Sequence, residues 1–344
     1  MIVKKLLNTL YVTNPKAYLQ KLDDTLVVRV ENEKLIQLPF HLLDSIIVFS
    51  YLGCSPAVIG ECSKHGISIS YLDESGKFLG KYEGPISGNV LLRKAQYISA
   101  IDESKALAIS KRFIAAKIHN SKGVLMRYKR DYPESCDDAF IKIIDSLSRN
   151  EKNATICETP NELRGIEGDS AHAYFSVFDK LLITNKEEIR FSSRLRRPSP
   201  DPVNAMLSFF YTILCRDIVS ACESIGLDPQ VGFLHKDRPG RASLALDLME
   251  EFRSPYVDRF IVSLFNRKQI KRSDFVTSID GAVMLKDKSR KEVLALWQQK
   301  KQEQITHPFL KEKIQIGLLP YIQAQLFSRF LRGDLEDYPA FLWR

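Results

Sequence analysis

Over roughly the first 85 residues, apolar side chains come in short runs separated by turn residues: "TLYVT", "TLVVRVE", "KLIQLP", "SIIVFS", "ISISYLD" and "KFLGKYEG", with "DESGK" between the last two. Brief runs rich in Val, Ile and Tyr and bounded by Gly, Asp and Ser predict strands. One segment among them, "PAVIGECSKHG", has the spacing of a short helix that closes on Gly66. The turn-rich "GPISGN", residues 84–89, marks a hinge, and from Val90 onward the period changes. Apolar positions three and four apart predict helices over about 90–130, 137–149, 160–184, 202–226, 243–252, 255–266 and 289–304. "FVTSIDGAVML" interrupts them as a β-hairpin with Asp280-Gly281 at its turn. The pattern predicts an α+β protein: a small N-terminal β-sheet domain, residues 1–86, followed by a larger all-helical C-terminal domain, residues 87–344.

The predicted helix around "LRGIEGDSAHAYF" carries an anomaly. Leu163, Ile166, Ser170, Ala173, Tyr174 and Val177 form an inward stripe, and Glu167 lies on it between Gly165 and Gly168. Each glycine costs a helix interior about 1 kcal/mol against alanine. A carboxylate facing a core is costly unless a cation or hydrogen bonds meet it. Arg164 is one candidate partner, which would make Glu167 an ordinary ion-paired residue.

A second dense stretch is "GFLHKDRPGRASLALDLMEEFR", residues 232–253. His235 ends an apolar run and opens a loop carrying Lys236, Arg238 and Arg241. Ser243 is placed to cap the next helix, on which Asp247 and Glu250 leave one face. These carboxylates could be a solvated face beside Arg253. Taken jointly, Glu167, His235 and Glu250 instead offer two carboxylates and one imidazole, a donor set suited to octahedral Mg²⁺ or Mn²⁺ with water positions left open. Asp247 then supports a ligand or holds a second ion. Arg194, Arg196 and Arg197 in "FSSRLRRPSPDPVNAMLSFFYTIL" form either a solvated linker or, with Lys236, Arg238, Arg241 and Arg253, a groove for phosphates.

Composition narrows the picture modestly. A formal net charge of +8 over 344 residues leans toward an anionic partner such as nucleic acid. Six cysteines without CxxC pairs indicate neither a zinc ribbon nor a disulfide scaffold. There is no GxxxxGK[ST] loop, GxSxG elbow or HExxH helix. The start lacks the apolar core of a signal peptide, and "MLSFFYTILC" reads as too short to span a bilayer. A reduced, cytoplasmic protein that does not enter membranes is the expectation.

In order and spacing, "LRGIEG", "RLRRPSPDPVNAMLSFFYTIL" and "GFLHKDRPGRASLALDLMEEFR" resemble the CRISPR-associated integrase family, the metal-dependent subunit that inserts new spacers into CRISPR arrays. "ISGNVLLRKAQY", residues 86–97, resembles that family's junction between domains, so the likeness spans nearly the whole chain. The resemblance implies Mg²⁺ or Mn²⁺ held by Glu167, His235 and Glu250, with Asp247 as the aspartate of the "LALD" motif. It implies phosphodiester transesterification, in which a 3′-hydroxyl of incoming DNA attacks a phosphorus at the repeat boundary; with water as nucleophile the same site is a nuclease. It also implies DNA partners that are double-stranded, branched or bear free 3′ ends, and a homodimer built through the β domain. Two such dimers would flank a dimer of the small ferredoxin-like CRISPR adaptation protein in a heterohexamer. The competing readings are a structure-specific nuclease acting on branched DNA in repair, and a non-catalytic DNA-binding scaffold.

Overall fold

In the computed structural model the short apolar runs become two sheets. The described residues are 8–12, 14–31, 33–49, 52–72, 78–84, 90–183, 188–195, 199–279 and 281–343. The turn at 73–77, most of the hinge at 84–89, and Asp280 lie outside them. The chain divides into two compact units, one of Met1–Gly88, Lys286–Ile305 and Ile314–Leu319, the other of Asn89–Leu285, Thr306–Lys313 and Pro320–Arg344.

In the first unit, β1 (Asn8–Val12), β5 (Leu43–Val48), β6 (Ser68–Leu72) and β7 (Phe78–Tyr82) form a mixed sheet. β1 and β6 run parallel to β5, and β7 is antiparallel to β6. β2 (Ala17–Leu22), β3 (Thr25–Val30) and β4 (Glu33–Pro39) form an antiparallel sheet. Strand β2 was not expected, because "AYLQKL" breaks the apolar run with the half-buried Gln20 and Lys21. The parallel pair β5–β6 needs a crossover, supplied by α1 (Pro56–Lys64), whose Ser55 cap accepts from the Val58 N–H. Val58 and Cys62 bury that helix against Leu19, Leu26, Ile46, Val48 and Ile69.

The second unit is helical. The helix expected over 90–130 is two: α2 (Val90–Ile101) and α3 (Glu103–Asp131), parted where the Asp102 side chain accepts from the Lys105 N–H and caps α3. There follow α4 (Asp138–Ile156), α5 (Pro160–Ser176) and α6 (Pro202–Ile225). Helix α5 begins in a full capping box between Thr159 and Glu162 and is shorter than expected. Helix α6 corrects an expectation: by length and mean hydropathy (1.4) it is apolar enough to cross a membrane, although 72% of that window is buried inside the protein.

Next come α7 (Ser243–Met249), a π-helical turn at Arg253–Asp258, and α8 (Arg259–Asn266). Pro255 explains the irregularity, since it has no N–H to give the Glu251 carbonyl one turn earlier. Asn120 Nδ2 donates to that carbonyl instead, at 2.7 Å. Strands β8 (Phe275–Thr277) and β9 (Val283–Leu285) form the expected hairpin, with Gly281 in the left-handed region (φ 81°).

Helix α9 (Asp287–Gln302) was expected in the helical domain but belongs to the first unit, where buried Arg290 lies 5.3 Å from the Phe49 ring. The helix α10 (Leu319–Leu331), not anticipated from the sequence, lies in the second unit from Pro320 on. The α+β class holds. A single boundary at 86/87, by contrast, differs from compact units that exchange the chain more than once.

Candidate metal centre and active site

Three elements of the second unit bring the first group of side chains together. Helix α5 presents Glu167, the end of α7 presents Glu250, and α3 presents Lys117. Lys117 Nζ pairs with Glu167 Oε1 and stands 3.0 Å from Glu250 Oε2. Arg253 Nε is 3.1 Å from the same Glu250 oxygen. Arg164 turns away to Asn161, so the cation facing Glu167 is Lys117.

Glu250 is almost wholly buried, and its Oε2 makes no hydrogen bond despite the two cations beside it. Burial alone would push its carboxyl up. Arg253, Lys117 and His235 outweigh that and hold it down at about 2. The carboxylate is therefore kept charged, with two cations drawn up to one of its oxygens.

His235 is held from behind. Asp247 is fully buried, and its Oδ2 accepts from the Phe233 and Leu234 N–H groups at 2.7 and 3.1 Å. Its Oδ1 accepts from the His235 N–H at 3.0 Å and lies 2.6 Å from His235 Nδ1. With Nδ1 so engaged, Nε2 is the ring nitrogen left to ligate. Burial raises the Asp247 carboxyl, against the His235 ring and the loop amides, which pull it back. Both Asp247 oxygens are thus engaged by the loop that carries His235.

Ser243 does not cap α7, contrary to expectation; Ala242 occupies the cap, and the Ser243 hydroxyl reaches the Lys236 carbonyl at 3.2 Å. Gly232 is required here, because a Cβ would sit 2.7 Å from Ser243 Cβ and 2.8 Å from the His235 carbonyl oxygen. Gln96, buried on α2, ties down the approach to this loop through Asp228 and Val231.

Beside Lys117 and Glu167 opens a cavity of about 450 Å³, also lined by Arg194, Tyr211, Arg253 and Asp258. Arg194 donates to Asn204 and Ser208, and Arg253 stacks over the Tyr211 ring at 4.8 Å. Asp258 accepts from the Tyr211 and Tyr174 hydroxyls at 2.6 and 3.1 Å, and burial raises its carboxyl to about 6 against those bonds.

Of the basic residues expected to meet DNA, Arg194 and Arg253 line this cavity. Lys236 and Arg238 are exposed on the His235 loop, and Arg241 is half-buried there. Arg196 and Arg197 lie outside the described residues.

The donor set fits a hard divalent ion: two carboxylates converge on one cationic position, one of them with a buried, unbonded oxygen. Among the described residues no three His, Cys, Asp or Glu side chains stand in metal-binding array. The Lys117 ammonium stands between Glu167 and Glu250. Lys117, Gln96 and Asn120 were missed in the sequence. Their signal was an interruption of α3's apolar face: Lys117, Asn120 and Ser121 fall between Phe113 and Val124 at helical spacing.

The helical unit thus gathers two glutamates around one lysine, a histidine clamped by an aspartate, and an arginine-lined cavity. Residues 10–299 match the family model "CRISPR associated protein Cas1". The chain is 45% identical to CRISPR-associated endonuclease Cas1 1 of Chlorobaculum tepidum over 346 residues, covering 99% of this chain and 100% of that one. It is likewise 45% identical to CRISPR-associated endonuclease Cas1 2 of Rhodospirillum rubrum, over 99% and 100% of the two chains. A casposase bound to its integration product superposes with TM-score 0.83 at 25% identity, over 97% of this chain and 94% of that one. A Cas1 protein from Thermotoga maritima shares the fold, with TM-score 0.82 at 23% identity over 98% and 100%. The chain belongs to the Cas1 family of CRISPR-associated endonucleases.

Proposed function

We propose that this enzyme joins 3′-hydroxyl ends of DNA into a repeat array by metal-dependent transesterification, with Glu167, Glu250 and His235 holding Mg²⁺ or Mn²⁺. The observation that carries the reading is the convergence on Lys117 of Glu167, which lines an arginine-lined cavity, and of the buried, charged Glu250. When bound, the ion supplies Lewis-acid stabilisation of charge developing on the phosphoryl oxygens. The chain's own residues supply the rest. Asp247 fixes the His235 ring, while Arg194 and Arg253 offer positive charge to a phosphodiester and hold it in line. The casposase likeness supports joining chemistry, since that protein was captured on an integration product.

In this reading DNA with free 3′ ends or branches is the substrate, the β unit mediates a homodimer, and a small ferredoxin-like adaptation protein completes a heterohexamer. Leu35 and Ile36, 54% and 40% exposed on edge strand β4, support a covered sheet edge.

The test is a joining assay on supercoiled target DNA beside a thermal melt. Glu167→Ala, His235→Ala and Glu250→Ala should each lower joining by about 10³-fold or more, and their combination should add little, as for residues acting as a unit. Near-normal joining by a folded Glu167→Ala protein sinks the reading. Cleavage of branched DNA with no joining by the wild type would favour a repair nuclease instead.

A further inference from the structure

The sequence motifs do not include Lys117, yet this side chain is the contact the two glutamates share. Its Nζ pairs with Glu167 on α5 and lies 3.0 Å from Glu250 at the end of α7, so one ammonium ties three helices together. We propose that Lys117 is a resident counter-cation: it occupies the carboxylates in the metal-free protein and yields them to the incoming ion, thereby setting how tightly metal is taken up. The inference rests on the assignment of Glu167 and Glu250 as ligands.

Charge balance points the same way. Lys117 and Arg253 already neutralise the two carboxylates, so a divalent ion added to the unchanged cluster would face two cations at close range. One of them must withdraw. Arg253 is anchored over the Tyr211 ring at 4.8 Å, which its planar guanidinium favours. Lys117 has a flexible four-carbon stem, and it lines the cavity of about 450 Å³ that also contains Ser121 and Arg194. Rotation of that stem carries the ammonium off the carboxylates and into the cavity without unpacking α3. The device exchanges one cation for another. The metal-free protein then avoids leaving a half-exposed Glu167 and a buried Glu250 facing each other without a cation between them, where they would repel each other across the site.

The experiment compares wild type with Lys117→Met, which keeps the length of the stem and removes its charge. Mn²⁺ affinity is read by calorimetric titration and by the paramagnetic signal of free Mn²⁺; stability is read by melting with and without Mn²⁺. Lys117→Met should bind Mn²⁺ about tenfold more tightly, within the usual range of coupling between two sites. It should melt lower than wild type without metal, and its melting point should rise more on adding Mn²⁺. If the metal-free variant is too unstable to titrate, the Mn²⁺-induced rise of Lys117→Gln is compared with wild type by the same criterion.

Glu167→Gln provides the cross-check. The metal-free stability lost through Lys117→Met should shrink in a Glu167→Gln background, because the ion pair is already gone. Equal or weaker Mn²⁺ binding by a folded Lys117→Met protein overturns this inference while leaving the ligand assignment intact. If wild type and Glu167→Ala bind Mn²⁺ equally, the ligand assignment fails and takes this inference down with it.

Discussion

Glu250 and Glu251 are neighbours in sequence, both buried, and opposite in every electrostatic respect. Glu250 faces Lys117, Arg253 and His235, has an oxygen without a hydrogen bond, and is held at about 2. Glu251 faces no cation. Its oxygens accept from the Tyr338 hydroxyl at 2.6 Å, Gln323 Nε2 at 2.8 Å and the Phe341 N–H at 2.7 Å. Burial raises its carboxyl to about 7 despite these bonds. The difference separates two jobs. A saturated carboxyl among neutral donors is a fastening, whereas a buried carboxylate held charged by two cations marks a place built for positive charge.

The fastening holds the tail. Asn120 on α3 donates to the Glu251 and Phe341 carbonyls and accepts from the Trp343 N–H at 2.7 Å. Trp343 in turn lies under Arg259, 4.0 Å from its ring. Residues 338–343 thereby brace the segment that carries Glu250.

The largest effect should come from changing Glu250 to Gln, which keeps the shape and removes the charge. Joining should fall by about 10³-fold or more, which is roughly 4 kcal/mol of transition-state stabilisation. Melting without metal should move less, since an awkward buried charge goes along with its ion pairs. Joining assays beside melts check this; equal activity would place Glu250 with Glu251 as architecture and erase the contrast.

Asn120→Ala attacks the fastening and should come next. It leaves two buried carbonyls and one buried N–H without partners, at about 1–3 kcal/mol for each orphaned group. A loss of about 4 kcal/mol by denaturant titration is expected. Activity should fall only as far as Glu250 is displaced, so Mn²⁺ affinity of the folded fraction should stay within a few-fold of wild type. A collapse of that affinity would show that the two sides are one unit.

How much of this was legible in the residues follows the same division. Glu167 stood out because an acid interrupted an apolar stripe in a short helix flanked by glycines. His235, Asp247 and Glu250 lay within one motif of 22 residues, so local spacing held them together. Lys117 and Asn120 interrupt α3 in the same way. In a helix of 29 residues with many charges, however, the inward face is fixed by tertiary packing rather than by periodicity. The tail was invisible for another reason: Glu251 meets Tyr338 and Phe341 from 87 and 90 residues away, with no pattern to announce it. The break at Asp102 was readable in principle as a capping aspartate and was overrun by the longer period.

Acidity should separate the neighbours with opposite signs. Glu250 sits below its ordinary value of 4.5, so its contribution to stability is present above that value and is lost as pH falls toward 2. Glu251 sits above 4.5, so its contribution is full below that value and is lost as pH rises through about 7. Each shift corresponds to about 3 kcal/mol at full extent, at about 1.4 kcal/mol per unit. Glu251→Gln should therefore flatten the decline in stability between about pH 5 and 7.5, leaving the acid limb in place. Melting curves across that range test it, and an unchanged slope would mean that Glu251 stays ionised in the fold.

The smallest effect concerns the glycines beside Glu167. Gly165 and Gly168 are exposed on α5, and a Cβ at either position would meet open space. No close approach requires them, unlike Gly232, and neither has the positive φ that would exclude a side chain. Alanine at either site should therefore stabilise the helix by about 1 kcal/mol. In a unit of this size that raises the melting point by roughly 2–4 °C. Mn²⁺ affinity should not change, because the helix already holds Glu167 against Lys117. On α3, a Cβ at Gly123 would lie 3.9 Å from Trp343, an ordinary van der Waals contact that alanine would also tolerate. Stability is thus recoverable beside Glu167, as expected where a site keeps room at a cost to its scaffold. A melting point lowered by Gly168→Ala would mean that the space beside Glu167 is filled in the working protein.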